Sequence, residues 1–320
     1  MSFFHLHPHA SHPPEPKRRT FVFLGLLAPL ATGIKPNLAK IAQPLSHAQS
    51  SPPPRPPARQ RRRYKVFDAH LHCPSEAGEV WQWHPVTRTF KEFSAYLDRT
   101  GVQRGIINSV RCQMAKDANG FVEGNREVAR YVEQSRGRFL GACVVNPLFI
   151  DEALRNMEDC RKQYGMVWVG ELCNYTVPYE YTIKEFELLV QQAVKLNMVL
   201  DVHTNLREME YIIEKFPEAT IVFPHFGGDQ DVIFRRIDLI AKHPNCYADI
   251  AGSGHERVGI LEYATETIGV DRILFGSDFS INDPGEVIAR VENSFLAEEQ
   301  KRAVLSGNLE RLLKRLSITH

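Results

Sequence analysis

The chain has 320 residues, 43% of them hydrophobic, and a formal net charge of +1. That length and apolar content favour one large domain over several small ones. The near-neutral balance hides an asymmetry: residues 1–63 carry ten Lys/Arg and one acid, Glu15, while the remainder holds 29 basic and 37 acidic residues, a net of −8. An acidic body argues against a nucleic-acid partner, which would call for a basic surface.

Lys17-Arg18-Arg19-Thr20-Phe21 leads into an apolar run, Phe21 to Leu30. Basic residues, a short apolar stretch and then small residues make a secretory signal pattern. The run is too short to span a bilayer. Adjacent arginines followed by a phenylalanine resemble a twin-arginine export signal. Ser46 and Ala48 put small residues at the −3 and −1 positions of a cleavage after Ala48. Residues 1–48 therefore read as a leader for the export machinery, giving a periplasmic protein, or a cytoplasmic one if the leader is not functional. Residues 49–63, rich in Pro and Arg, read as a disordered, extended linker. The fold is expected in residues 64–320.

From Tyr64 the chain alternates between short apolar runs and longer amphipathic segments. The runs end near Phe67, Ile107, Val145, Val169, Val202, Phe223, Ile250 and Phe275. Thr182 to Leu196 is the clearest helix: Ile183, Phe186, Val190, Ala193 and Val194 recur at helical spacing. Asn125–Arg136, Asp151–Tyr164, Leu206–Phe216, Asp229–Lys242, Glu256–Ile268 and Gly307–Leu316 read the same way. Eight strands alternating with helices over about 250 residues is the size of a (β/α)8 TIM barrel. An open doubly wound sheet would usually carry a Gly-rich loop after its first strand. Here that position holds Asp68-Ala69-His70-Leu71-His72 and then Cys73-Pro74. The six cysteines show no CxxC pairing and read mostly as small buried apolar residues.

In a barrel, chemistry gathers at the C-terminal ends of the strands. If strand geometry continues through His70 and His72, the two imidazoles share a face and form half of a metal site. The other strand ends offer Asn108 and Arg111, Asn146, Glu171, His203, His225, Asp249 and Asp278. Four of the eight histidines after residue 63 fall at these positions. Imidazole with carboxylate suits zinc, and also manganese or iron.

D-A-H-L-H, H-T at 203–204, P-H-F-G-G at 224–228, Y-A-D-I-A-G at 247–252, R-I-L-F-G-S-D-F at 272–279 and G-N-L-E-R-L-L at 307–313 resemble the amidohydrolase superfamily, in its amidohydrolase-related (amidohydrolase 2) branch. The resemblance spans roughly residues 65–316. It implies a metal-dependent barrel with His70, His72, His203 and Asp278 as ligands. It implies His225 as the residue that polarises a carbonyl or helps activate water, or as a ligand of a second ion. Asp278 would also accept the water's proton. Many two-metal relatives use a carbamylated lysine at the fourth strand, and others a glutamate. Glu171 stands there, so one ion is preferred and two remain open.

Asp249 is expected to orient a neighbouring loop or a ligand histidine, and Asp68 to be structural. Arg111, Asn174, Tyr175 and His255 follow strand ends and could hold a substrate carboxylate or phosphate, although for each alone a surface or loop-packing role is favoured. Trp81, Trp83 and His84 could wall a substrate site or simply pack a loop. The leading expectation is hydrolysis of an amide, ester or lactone of a small molecule. The alternative is non-oxidative decarboxylation of an aromatic or unsaturated acid, and a weaker one is an exported binding protein without catalysis. The expected partners are a small-molecule substrate and, as a homo-oligomer, further copies of the chain.

Overall fold

The computed structural model describes residues 64–80 and 87–316. The leader, the linker and the Trp81/Trp83/His84 stretch lie outside the described residues. Eight parallel strands, β1 (Phe67–Cys73), β2 (Arg104–Ser109), β3 (Phe139–Cys143), β4 (Trp168–Leu172), β5 (Val199–Val202), β6 (Ile221–Phe223), β7 (Cys246–Asp249) and β8 (Ile273–Leu274), pair in sequence order. The backbone after β8 closes the ring against β1: Ala69 N–H donates to Phe275 O at 2.8 Å, and Asp278 N–H to His70 O at 3.0 Å. The fold is a (β/α)8 barrel. Among the described residues the α-helices are α1 (Phe90–Thr100), α2 (Val110–Gln113), α3 (Ala118–Gln134), α4 (Ile150–Lys162), α5 (Lys184–Lys195), α6 (Leu206–Lys215), α7 (Gln230–Lys242), α8 (Ile260–Ala264), α9 (Pro284–Glu292), α10 (Glu298–Arg302) and α11 (Asn308–Arg315).

The strands are buried on both faces, as parallel barrel strands must be. Inside the barrel, Phe67, Ala69, Trp168, Val222 and Leu274 pack with Leu309 and Leu312 of α11, which closes the N-terminal end. A second and larger cluster lies between the sheet and the helices. Five of the six cysteines are buried, in keeping with an apolar role.

Two bulges decide what the mouth contains. On β1, Phe67 and Ala69 face the interior, so strict alternation would also send Leu71 inward. The pairing register shifts between Asp68 and Leu71, and Leu71 joins the outer cluster instead. His70 and His72 then take the interior face. Strand β4 does the same. Its register shifts between Val169 and Leu172, Leu172 packs outward, and Glu171 is free to face the interior. Gly170 is required at that kink: its φ is 129°, and an added Cβ would lie 2.2 Å from Asp201 O.

The first strand is Phe67–Cys73, not Tyr64–Phe67, so the histidines lie within it. Its polar residues mask the apolar pattern by which buried strands are recognised. Absent from the sequence reading are α1 and α9, together with the short helices Val110–Gln113 and Glu298–Arg302. Thr89 and Glu92 form a capping box on α1, and Asp283-Pro284 starts α9. Helix α3 begins seven residues earlier than expected because Asp117 caps it, its side chain accepting from Gly120 N–H.

Candidate metal centre

The β1 histidines are fixed from behind. His72 Nδ1 lies 2.8 Å from Asn108 Oδ1, at the end of neighbouring β2. An amide oxygen only accepts, so Nδ1 carries the proton and Nε2 is left with its lone pair. His70 Nδ1 lies 2.9 Å from Asp249 Oδ2 on β7, again leaving Nε2 toward the mouth. The two Nε2 atoms face each other at 3.1 Å. Two lone pairs cannot sit so close unless a proton or a metal ion lies between them.

Two carboxylates complete the set. Asp278 Oδ1 is 3.0 Å from His72 Nε2 and 3.8 Å from His70 Nε2. Glu171 Oε2 is 3.5 Å from His70 Nε2 and 3.7 Å from His72 Nε2. Ligands about 2.0–2.1 Å from a tetrahedral ion lie roughly 3.3–3.4 Å from one another. These edges bracket that value, so the donors present fit a first-row divalent ion.

A second group stands beside the first. Glu171, His203 and His225 bring one donor atom each within 4.8 Å of one another. Glu171 reaches both groups, because its Oε1 lies 3.4 Å from His225 Nε2. His203 meets Tyr175, whose hydroxyl is 2.5 Å from Nδ1. Of the four ligands implied by resemblance, the structure therefore gathers His70, His72 and Asp278. It places Glu171 nearer to that trio than the sequence reading did, and sets His203 with His225.

The backbone at His225 and Asp278 is left-handed, with φ of 62° and 60°. Such values are uncommon outside glycine and occur at functional sites. Arg236 of α7, buried, locks the β5 and β6 ends by donating to Thr204 O, Pro224 O and His225 O at 2.7, 2.9 and 3.1 Å. Gly252 makes room for the His225 ring, since a Cβ there would lie 2.2 Å from Nδ1. Arg236 and Gly252 were both missed in the sequence. A G-rich segment after β7 was a visible signal for the second, but nothing local marks the first.

The electrostatics express a demand for positive charge. Burial alone would raise the Glu171 carboxyl, but His70, His225 and His203 outweigh it and hold it well below its ordinary value. Burial alone would lower His225, yet Glu171 and Asp278 lift it to about 9. His70 is likewise raised against burial by Glu171 and Asp249. Burial lowers His203 to about 4, so this ring is neutral. Beneath the site, burial pushes Asp201 up to about 8 and Asp68 up to about 7. Asp68 Oδ1 accepts from His70 N–H and Ser277 N–H, tying β1 to the β8 end.

The four suggested substrate contacts fare differently. Arg111, on α2, faces Glu79 at 3.9 Å. Tyr175 is half exposed beside His203. Asn174 spends its amide on Tyr179 O at 2.7 Å, within its own loop. His255 is buried against Glu286 of α9 at 3.2 Å, and its carbonyl accepts from Arg290, so its contacts bind the loop after β7 to α9.

A (β/α)8 barrel with a histidine–carboxylate donor set at the C-terminal ends of its strands is the class of metal-dependent barrel enzymes. Within that class the chain belongs to the amidohydrolase family, whose model matches residues 67–315. Among curated proteins, none matches significantly by sequence. Solved structures do resemble it. The 2,6-dihydroxybenzoate decarboxylase from Rhizobium aligns with a TM-score of 0.63 at 18% identity, covering 79% of this chain and 99% of that one. A dihydroxybenzoic acid decarboxylase from Polaromonas sp. JS666, with bound manganese and the inhibitor 2-nitroresorcinol, aligns at 0.64 and 19%, covering 78% and 97%. A protein described as amidohydrolase II aligns at 0.66 and 14%, covering 78% and 100%. At these identities the likeness concerns the fold.

Proposed function

We propose that this protein is a divalent-metal-dependent hydrolase acting on an amide, ester or lactone of a small molecule. The observation that carries the reading is the facing pair of His70 and His72 Nε2 atoms, ringed by Asp278 and Glu171. Zinc, manganese and iron all suit imidazole–carboxylate donors, and manganese gains support from the Polaromonas structure. A divalent ion held there supplies Lewis acidity, bringing the pKa of water down to about 7 and polarising a substrate oxygen. The protein's own groups do the rest. Asp278 is oriented from both sides, with Oδ1 toward His72 and Oδ2 accepting from Asn282 Nδ2 at 3.1 Å, and takes the proton from water. His225, favoured as the cation by Glu171 and Asp278, donates to oxygen as negative charge develops. One ion is the preferred count. Glu171 Oε1, His203 and His225 offer donors for a second.

A second reading is decarboxylation of an aromatic or unsaturated acid. It is supported by the structural likeness to decarboxylases, and by Arg111, a cation just beyond β2 whose partner Glu79 is only loosely engaged. Protein loaded with Mn²⁺ should be offered carboxyl-labelled 2,6-dihydroxybenzoate in parallel with a panel of esters, lactones and amides. Hydrolysis predicts proton release from an ester or lactone, or free amine from an amide, and no labelled carbon dioxide. The reverse result assigns decarboxylation, and neither, in metal-loaded protein, favours a binding role. We also propose export through the twin-arginine-like leader. Loss of periplasmic protein on Arg18→Lys/Arg19→Lys substitution is the expected outcome.

A further inference from the structure

Helix α2 is only four residues long, yet its last residue is wired into a different part of the barrel. Gln113 is buried, and its Nε2 donates to the backbone carbonyl of Glu171 at 2.7 Å, 58 residues away. Its Oε1 accepts from Cys173 Sγ at 2.9 Å. Its own carbonyl accepts from Thr176 Oγ1 at 2.7 Å. One residue thus grips the β4 end and the following loop at positions 171, 173 and 176. The loop it pins presents Tyr175, half exposed, with its hydroxyl on His203. The loop is thus fastened on both sides of Tyr175, at Cys173 and Thr176.

We propose that Gln113 is a positioning residue, which sets Glu171 against the metal donors and fixes the loop that brings Tyr175 to His203. The same β2–α2 stretch already orients His72 through Asn108. A single short segment therefore holds two donors from strands β1 and β4 in register. Glutamine is suited to this place because it offers a donor and an acceptor at once, without the charge that a Glu or Lys would add beside Glu171. Outer partners of this kind typically alter metal affinity by about 10–100-fold.

The proposal rests on the metal reading above, and its test separates the two. Full-length protein is stripped with chelator and titrated with Co²⁺, whose visible absorption reports ligand geometry. Gln113→Met, nearly isosteric and uncharged, should bind Co²⁺ about 10-fold or more weakly than wild type and with a shifted absorption band. Thr176→Val, which removes only the outer link, should keep Co²⁺ affinity within about twofold. In both variants, amide hydrogen exchange of residues 172–177 should quicken in metal-free protein. Wild-type affinity and spectrum in folded Gln113→Met would overturn the proposal alone. Unchanged exchange in Thr176→Val would overturn it even if Gln113→Met failed to fold. A wild-type protein that takes up no Co²⁺ would overturn the metal reading, and this proposal with it.

Discussion

The two ends of the barrel are made from the same strands and could hardly differ more. At the N-terminal end, Phe67, Trp168 and Val222 meet Leu309 and Leu312 of α11 in an apolar plug. At the C-terminal end, His70, His72, Glu171, Asp249 and Asp278 are all buried and all ionisable. The first end is stable because it excludes polar groups. The second gathers charge at a cost in burial energy that only pairing or a bound ion offsets. The bulges in β1 and β4 are the joints between these regimes, since each turns a polar residue inward above an apolar one.

If that division is right, substitutions should separate cleanly into losses of metal and losses of stability. The largest effect is expected for His72→Asn. A four-ligand zinc site supplies about 10–16 kcal/mol, so one ligand accounts for roughly 3–4 kcal/mol, or a loss of 10²–10³ in affinity. Competition titration against a chelating dye measures it, and thermal melting of the metal-free protein should change little. Leu312→Ala is the opposite case. It should destabilise the fold by about 2–4 kcal/mol in urea unfolding while leaving metal stoichiometry untouched. Coupled loss of both properties in either variant would break the comparison.

Smaller effects sharpen it. Asp249→Asn keeps the shape but loses the carboxylate behind His70, and should weaken metal binding about 10–100-fold. Glu127 on α3 lies outside the site and tests burial without a compensating ion. Burial raises its carboxyl to about 7 from 4.5, against the Glu76 N–H that Oε1 accepts at 2.6 Å. A raised carboxyl pKa means that the folded state holds a proton the unfolded chain releases. Stability therefore falls as pH rises from 4.5 through 7. Glu127→Gln should be more stable than wild type at pH 8, by up to about 3 kcal/mol, with the gap closing as pH drops through that window. Denaturation midpoints at pH 5 and pH 8 check the sign.

Much of this was legible in the sequence because barrels place their chemistry where an apolar run stops. Glu171, His203, His225 and Asp278 each follow such a run, and D-A-H-L-H announced the pair on β1. Their gathering at one mouth follows from the fold. What stayed hidden depends on contacts between distant residues. Nothing near Gln113 reveals that its amide meets Glu171 O, and nothing near Arg236 reveals the three carbonyls it gathers. The face-switching bulges are hidden for another reason, since a slip of one residue leaves no mark on composition. His255 is the converse case: a polar residue after a strand could serve substrate or pack its loop, and only the fold shows that Glu286 and Arg290 of α9 are its partners.

The central claim is that the facing histidines of β1 hold a divalent ion. Elemental analysis of the full-length protein, purified without chelator from medium containing zinc and manganese, tests it most directly. The account predicts one divalent ion per chain in wild type and none in the His70→Asn/His72→Asn double variant. A folded wild-type protein that carries no ion, and takes none up from added Zn²⁺ or Mn²⁺, would contradict it.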